Sequence, residues 1–209
     1  MKILIIGATR GIGAELLRQA LEDGHEVTVL ARSPRKIALT HPRLHLLAGD
    51  IRNPLAVAAA VKGQEAICVT IGSPITFRPV HIFSEGIERV ITAMQELQVR
   101  RLICVTGIGA GSSKGHGGFL YDAIFKPLLL KTIYVDKDLQ EEIIQQSDRD
   151  WLIVRPAGLT NGPRTGKYRV ITDYRGVTAR RISRADVADF IMKELSAPQY
   201  TGQTPLLTY

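Results

Sequence analysis

Residues 1–13 read Met-Lys-Ile-Leu-Ile-Ile-Gly-Ala-Thr-Arg-Gly-Ile-Gly, and their reading decides the fold. Ile3, Leu4, Ile5 and Ile6 form an unbroken apolar run, as a parallel strand covered on both faces needs. Gly7, Gly11 and Gly13 follow. From Ala14 to Glu22 the residues Leu16, Leu17, Ala20 and Leu21 gather on one side of a helix. Where a strand turns through glycines into a helix, backbone N–H groups point outward and the helix dipole favours an anion. Glycine also lets a pyrophosphate approach the backbone closely. The spacing is G-x-x-x-G-x-G rather than the G-x-G-x-x-G fingerprint. Its place between strand and helix still favours a dinucleotide over a bare tight turn, which would not need three glycines. The expected contacts are Gly7, Thr9, Arg10, Gly11, Ile12 and Gly13.

Outward from that turn, strand and helix alternate. Strands are expected at Glu26–Leu30, Leu44–Ala48, Ala66–Thr70, Leu102–Thr106 and Trp151–Val154, with a last edge strand at Leu206–Thr208. Helices are expected at Pro54–Val61, Val80–Gln98, Val135–Gln146 and Ser183–Ser196. Asn53 caps the first of these with Pro54 at its first position, and Ser183 with Asp186 forms a capping box on the last. The fold implied is α/β, a Rossmann-type doubly wound parallel sheet in a single domain. One stretch breaks the rhythm. Residues 107–132 hold Gly107, Gly109, Gly111, Gly115, Gly117 and Gly118, then an apolar piece, and read as a lid over the carboxyl end of a strand.

The chain has 209 residues, 45% of them hydrophobic, enough for one core. It lacks the run of roughly 18 apolar residues that a membrane span needs. Met1-Lys2 leads straight into the first strand, so no signal peptide is expected, and the setting expected is cytoplasmic. Cys68 and Cys104 fall in apolar strands and read as reduced core thiols. The net charge of +7 is scattered rather than gathered into a nucleic-acid motif, so nucleic acid ranks last among partners; a basic rim around an anionic ligand explains the charge as well. The histidines show no metal spacing. Oligomeric state is left open.

After the second strand an NAD site usually offers an acid to the ribose hydroxyls. Here the chain runs Val29-Leu30-Ala31-Arg32-Ser33, with Arg35 close behind and Arg10 in the glycine turn. Guanidinium groups match a 2′-phosphate, so NADP(H) is the expected cofactor, with Arg32, Ser33 and Arg35 at the phosphate. Arg32 and Arg35 also have a plainer reading as solvated surface charges. Asp50 and Ile51 meet the adenine, unless Asp50 simply caps the next turn. Ile71 and Gly72 pass beneath the ribose.

With these residues in view, the chain resembles the atypical short-chain dehydrogenase/reductases, and within them the biliverdin-IXβ reductase/flavin reductase group and its bacterial NAD(P)-binding relatives. The matching pieces are Gly7-Ala8-Thr9, Val27 to Arg32, Gly49-Asp50-Ile51, Ser84-Glu85-Gly86, Ala93-Met94, Arg155-Pro156, Thr165 to Tyr168, and Ile182 to Val187. The resemblance implies a single-domain reductase that passes hydride from NADPH to an aromatic acceptor such as a flavin or linear tetrapyrrole. It also implies that Pro156, Ala157, Gly158 and Leu159 lie against the nicotinamide amide. The chain departs from that group at Thr106-Gly107, where the group has a Thr-Ser pair, and at Ala157, where a histidine is expected.

The commoner dehydrogenases use Tyr-x-x-x-Lys, the lysine lowering the tyrosine pKa. Tyr121 has Lys126 one residue too far, and Tyr134 has Lys137 one residue early. A one-residue slip turns a side chain by about 100° around a helix. Alcohol–ketone chemistry is therefore disfavoured. A conjugated acceptor (flavin, quinone or tetrapyrrole-like) needs mainly stacking against the nicotinamide. Thr106 is the nearest hydroxyl, and His116 and Tyr121 in the lid are further donors. The alternative is a non-catalytic NADP(H)-binding redox sensor that acts through a protein partner.

Overall fold

The computed structural model describes residues 1–113 and 130–209. The strands are β1 (Lys2–Ile6), β2 (Glu26–Ala31), β3 (Leu44–Ala48), β4 (Ala66–Val69), β5 (Arg101–Val105), β6 (Asp150–Pro156), β7 (Gly158–Thr160), β8 (Arg169–Ile171), β9 (Arg181–Ser183) and β10 (Leu206–Thr208). The helices are α1 (Gly11–Glu22), α2 (Pro54–Val61), α3 (Ile82–Glu96), α4 (Lys131–Gln146) and α5 (Arg184–Ser196). The main sheet runs β3-β2-β1-β4-β5-β6-β10-β8, and β7 pairs with β9 apart from it. All its pairings are parallel except β8 on β10.

This order follows from the apolar runs. Ile3, Leu4, Ile5 and Ile6 are at most 2% exposed, as a central strand requires. Alternate residues serve opposite faces. Ile3 and Ile5 join the core under α1 and α5, while Leu4 and Ile6 join the core under α2, α3 and α4. Burying each such side chain contributes about 1.5–3 kcal/mol. The chain steps from β1 outward through β2 to β3, then returns to place β4 on the other side of β1. A crevice opens at that reversal, outside the carboxyl ends of the strands.

Asn53 caps α2 as the sequence indicates, accepting from Leu55 N at 3.0 Å and Ala56 N at 3.2 Å. The capping box on α5 closes on one side only. Ser183 Oγ accepts from Asp186 N at 3.0 Å. The Asp186 carboxylate instead accepts from the Thr165 and Gly166 amides and from the Thr165 and Tyr209 hydroxyls. It thereby pins the 161–168 loop and the carboxyl terminus to α5. Leu206–Thr208 is not the edge of the sheet: β8 lies outside it, antiparallel. Three-residue strands give too short a period to read from sequence. Likewise α4 starts at Lys131, one turn before Val135.

Cys68 and Cys104 are free and buried. Burial pushes the Cys68 thiol up to about 12 and raises that of Cys104 as well. No helix of the described residues is long and apolar enough to cross a membrane.

Candidate functional site

A cleft of about 510 Å³ lies at the carboxyl ends of β1, β2, β4 and β5. Its floor is set by the glycines. Gly7 has φ +103°, and a Cβ there would stand 2.8 Å from the Thr70 carbonyl carbon, so only glycine lets β1 turn against β4. A Cβ on Gly13 would run into the Gly7 carbonyl, which places Gly13 beneath the cleft as a packing residue rather than at its surface. Gly11 differs. Its φ is +67°, and a Cβ there would meet nothing nearer than Arg184 Nε at 3.8 Å. Space is open above the first turn of α1.

That turn is built for an anion. Arg10 stands at its N-cap, no side chain caps it, and no acid lies in the turn. Its outward N–H groups thus lack a side-chain acceptor, and the macrodipole is uncompensated. Arg10, Arg32 and Lys36 line the cleft. Among the described residues, none of the three has an ion-pair partner. The residues present therefore fit a phosphorylated dinucleotide: open amides for a diphosphate and spare cations for a further phosphate.

Most of the residues named from sequence come together here. Gly7, Thr9, Arg10, Gly11, Ile12, Arg32, Ser33, Asp50, Ile51, Ile71, Gly72, Thr106, Pro156 and Leu159 all line the cleft. Arg35 does not; the 3-10 turn Pro34–Lys36 turns Lys36 inward in its place. Ala157 and Gly158 are also absent from the lining. Ala157 is 4% exposed, with its amide donated to Leu207 O at 2.9 Å. Of the two roles considered for Asp50, the turn is the one the structure shows. Asp50 faces the cleft and accepts from Arg52 N at 2.9 Å. The hydrogen-bonded Arg52 guanidinium holds its carboxyl below the usual range, and Arg32 adds to this.

The other end of the cleft is made of side chains. The Thr106 hydroxyl donates to Glu141 Oε1 at 2.6 Å. Its proton is spent there, which removes Thr106 as a hydroxyl donor to a substrate. Glu141 also receives Arg155 Nε at 3.1 Å and Nη2 at 2.5 Å, and Arg155 Nη1 reaches the Tyr174 hydroxyl at 3.0 Å. Glu141 and Arg155 are each 1% exposed. The Tyr134 hydroxyl donates to Ile108 O at 2.8 Å. His116 and Tyr121, with most of the 107–132 segment, lie outside the described residues.

Sequence reasoning set Lys137 aside as a mis-spaced partner of Tyr134. It lines the cleft beside Thr106. Its Nζ donates to the Thr106 carbonyl and lies 5.1 Å from the centre of the Phe83 ring. Although its surface reaches the cleft, dense protein surrounds the ammonium, and this burial lowers its pKa to about 8; Cys104 and Glu141 nearby oppose the drop. The signal was present. Ile133, Tyr134, Gln140, Glu141 and Ile144 are buried positions of α4 that share one helical face with Lys137, while the buried Asp136 lies to one side of it. Among the described residues, no group of three or more His, Cys, Asp or Glu could hold a metal.

Fold and cleft together define a dinucleotide-binding protein of the Rossmann type. The chain belongs to the NAD(P)H-binding family, whose profile matches residues 7–198. It is similar to YhfK of Bacillus subtilis, named as an uncharacterized sugar epimerase: 28% identical over 202 residues, spanning 93% of this chain and 88% of the relative. It is similar also to the photosystem II assembly factor Ycf39 of Cyanophora paradoxa, 28% identical over 93% of this chain and 59% of that one. Among solved structures, ChuY of Escherichia coli O157:H7, an anaerobillin reductase, matches with a TM-score of 0.81 at 27% identity, over 100% of this chain and 97% of that chain. A short-chain dehydrogenase/reductase of Veillonella parvula, solved with NADP, shares the fold: TM-score 0.84, 19% identity, 100% and 94% coverage. These relatives bear out the resemblance to the atypical short-chain dehydrogenase/reductases.

Proposed function

We propose that the chain is an NADPH-dependent reductase that passes hydride to a conjugated acceptor of the flavin, quinone or tetrapyrrole class. The observation that carries this reading is Arg32, exposed at the end of β2, on the cleft rim, with no ion pair among the described residues. With Arg10 and Lys36 it forms a seat for a phosphate where an NAD site would place an acid. Bound NADPH supplies the hydride. The chain's own part is to hold the ring system at the carboxyl ends of β5 and β6, against Val105 and Pro156, and to exclude water there. Lys137 Nζ gives the accompanying proton to the reduced acceptor and regains one from solvent through the cleft mouth. The net change is one hydride from NADPH and one proton from solvent added to the acceptor. The ChuY likeness supports a tetrapyrrole-like acceptor among these.

The test is NADPH oxidation in the presence of FMN, riboflavin, a quinone or biliverdin. Turnover with at least one is expected. Tight NADPH binding with no turnover on any of them would favour the redox-sensor alternative. The pH profile tests Lys137. A proton donor must be charged, so kcat/KM should hold below about 8 and fall above it as Nζ loses its proton. Lys137→Met should lower kcat and remove that falling limb. An identical limb in the variant would sink the assignment to Lys137.

A further inference from the structure

Arg184 lies within the matching piece Ile182 to Val187, where the sequence gives it no role of its own. It is the first residue of α5 and lines the cleft opposite the glycine turn. Its Nε lies 3.8 Å from where a Cβ on Gly11 would be, directly across from the first turn of α1. Its Nη1 donates to Asn161 Oδ1 at 2.7 Å, which fixes the direction of the guanidinium and leaves the other donors of the fork free among the described residues. For the stability of the fold this is the wrong place for a cation. A positive side chain in the first turn of a helix opposes the macrodipole, and here two helix starts and Arg10 meet around it. The one acid in that turn, Asp186, is committed to Thr165, Gly166 and Tyr209. An anion between α1 and Arg184 would relieve the conflict.

We propose that Arg184 closes on the cofactor's diphosphate from the side facing Gly11, so that the anion is held between backbone amides on one side and a guanidinium on the other. This rests on the reading of the cleft as an NADPH site. It assigns Arg184 to the part that NADPH and NADH share, whereas Arg32 serves the part in which they differ. Guanidinium–phosphate bonds are charge-assisted and can be bidentate.

Calorimetric titration of wild type and Arg184→Gln with NADPH, NADH and adenosine 2′-monophosphate tests it, since the last ligand has the 2′-phosphate but no phosphate on the 5′ side. The variant should bind both NADPH and NADH weaker by on the order of tenfold to a hundredfold, and the 2′-monophosphate almost unchanged. Arg184→Lys should recover only part of the loss. The melting temperature of ligand-free Arg184→Gln should equal or slightly exceed that of wild type. Unchanged NADPH affinity, including the case where only the acceptor's KM rises, overturns the proposal. So does equal loss of all three ligands with a lowered melting temperature, which marks a structural role. If wild type binds none of the three, the NADPH reading itself falls.

Discussion

The two ends of the cleft are built on different principles. The amino-terminal end, from Gly7 to Lys36, uses backbone amides, three glycines and cations that stay in solvent. The other end, around β5, α4 and β6, uses charges taken out of water: Arg155 against Glu141, Thr106 tied to the same carboxylate, and Lys137 against the Thr106 carbonyl. Solvated cations cost the free protein little and wait for an anion. Buried charges have to be satisfied within the protein itself, because an unpaired one is expensive. One end can therefore be altered in specificity with the fold intact, while at the other a change to the Glu141–Arg155 pair costs stability.

The sharpest way to break that contrast is Glu141→Ala. It removes the carboxylate that takes both Nε and Nη2 of the buried Arg155 guanidinium, and frees Thr106 as well. Removing one member of a buried pair costs about 3–5 kcal/mol. Urea unfolding should show a loss of that order, and a loss below about 1 kcal/mol, the range of an exposed pair, would show that the network is not what holds α4 to β6. Next in size is Arg32→Asp. Affinity for NADPH should fall by roughly a hundredfold, as a charge-assisted contact is replaced by repulsion, while NADH binding and the unfolding midpoint barely move. Equal loss for both coenzymes would remove the assignment of the 2′-phosphate to this end.

The same division explains what could be read in the sequence. Strands β1 to β6 and the helices between them follow from apolar runs, glycine punctuation and caps such as Asn53, all local signals. The solvated end of the cleft was equally legible, because Gly7, Gly11 and Arg32 act where they stand in the chain. Lys36 replaced Arg35 only because a 3-10 turn shifted the face by one residue. The buried end was not legible in the same way. Thr106, Glu141 and Arg155 lie far apart in sequence, and nothing local says that the Thr106 proton goes to Glu141. Lys137 is legible as a lysine on the buried face of α4, but it falls off the Tyr-x-x-x-Lys spacing that marks a catalytic lysine. Strand β8 is too short to show a period, so in the sequence β10 reads as the edge.

The smallest change probes the boundary between the two principles. Asp50 is an acid on the cationic rim, and its negative charge faces the position where Arg32 would receive a phosphate. Asp50→Asn keeps an oxygen to accept from Arg52 N, so the turn that leads into α2 survives. It removes a charge that opposes the 2′-phosphate. At the high effective dielectric of a partly exposed site, one unit charge a few ångströms away is worth about 1 kcal/mol, a fewfold change in affinity. NADPH should therefore bind Asp50→Asn a fewfold tighter than wild type, with NADH moving less. The difference should shrink as salt is added. The carboxyl's lowered pKa fixes the pH dependence. Asp50 favours folding where it is charged, above its ordinary pKa, and that contribution fades as pH falls through the depressed value. Wild type should thus lose this advantage over the variant only in acid, and at neutral pH the variant should be the less stable but tighter-binding protein. If NADPH bound the variant more weakly, the carboxylate would be a direct contact to the adenine amino group rather than a counterweight to Arg32.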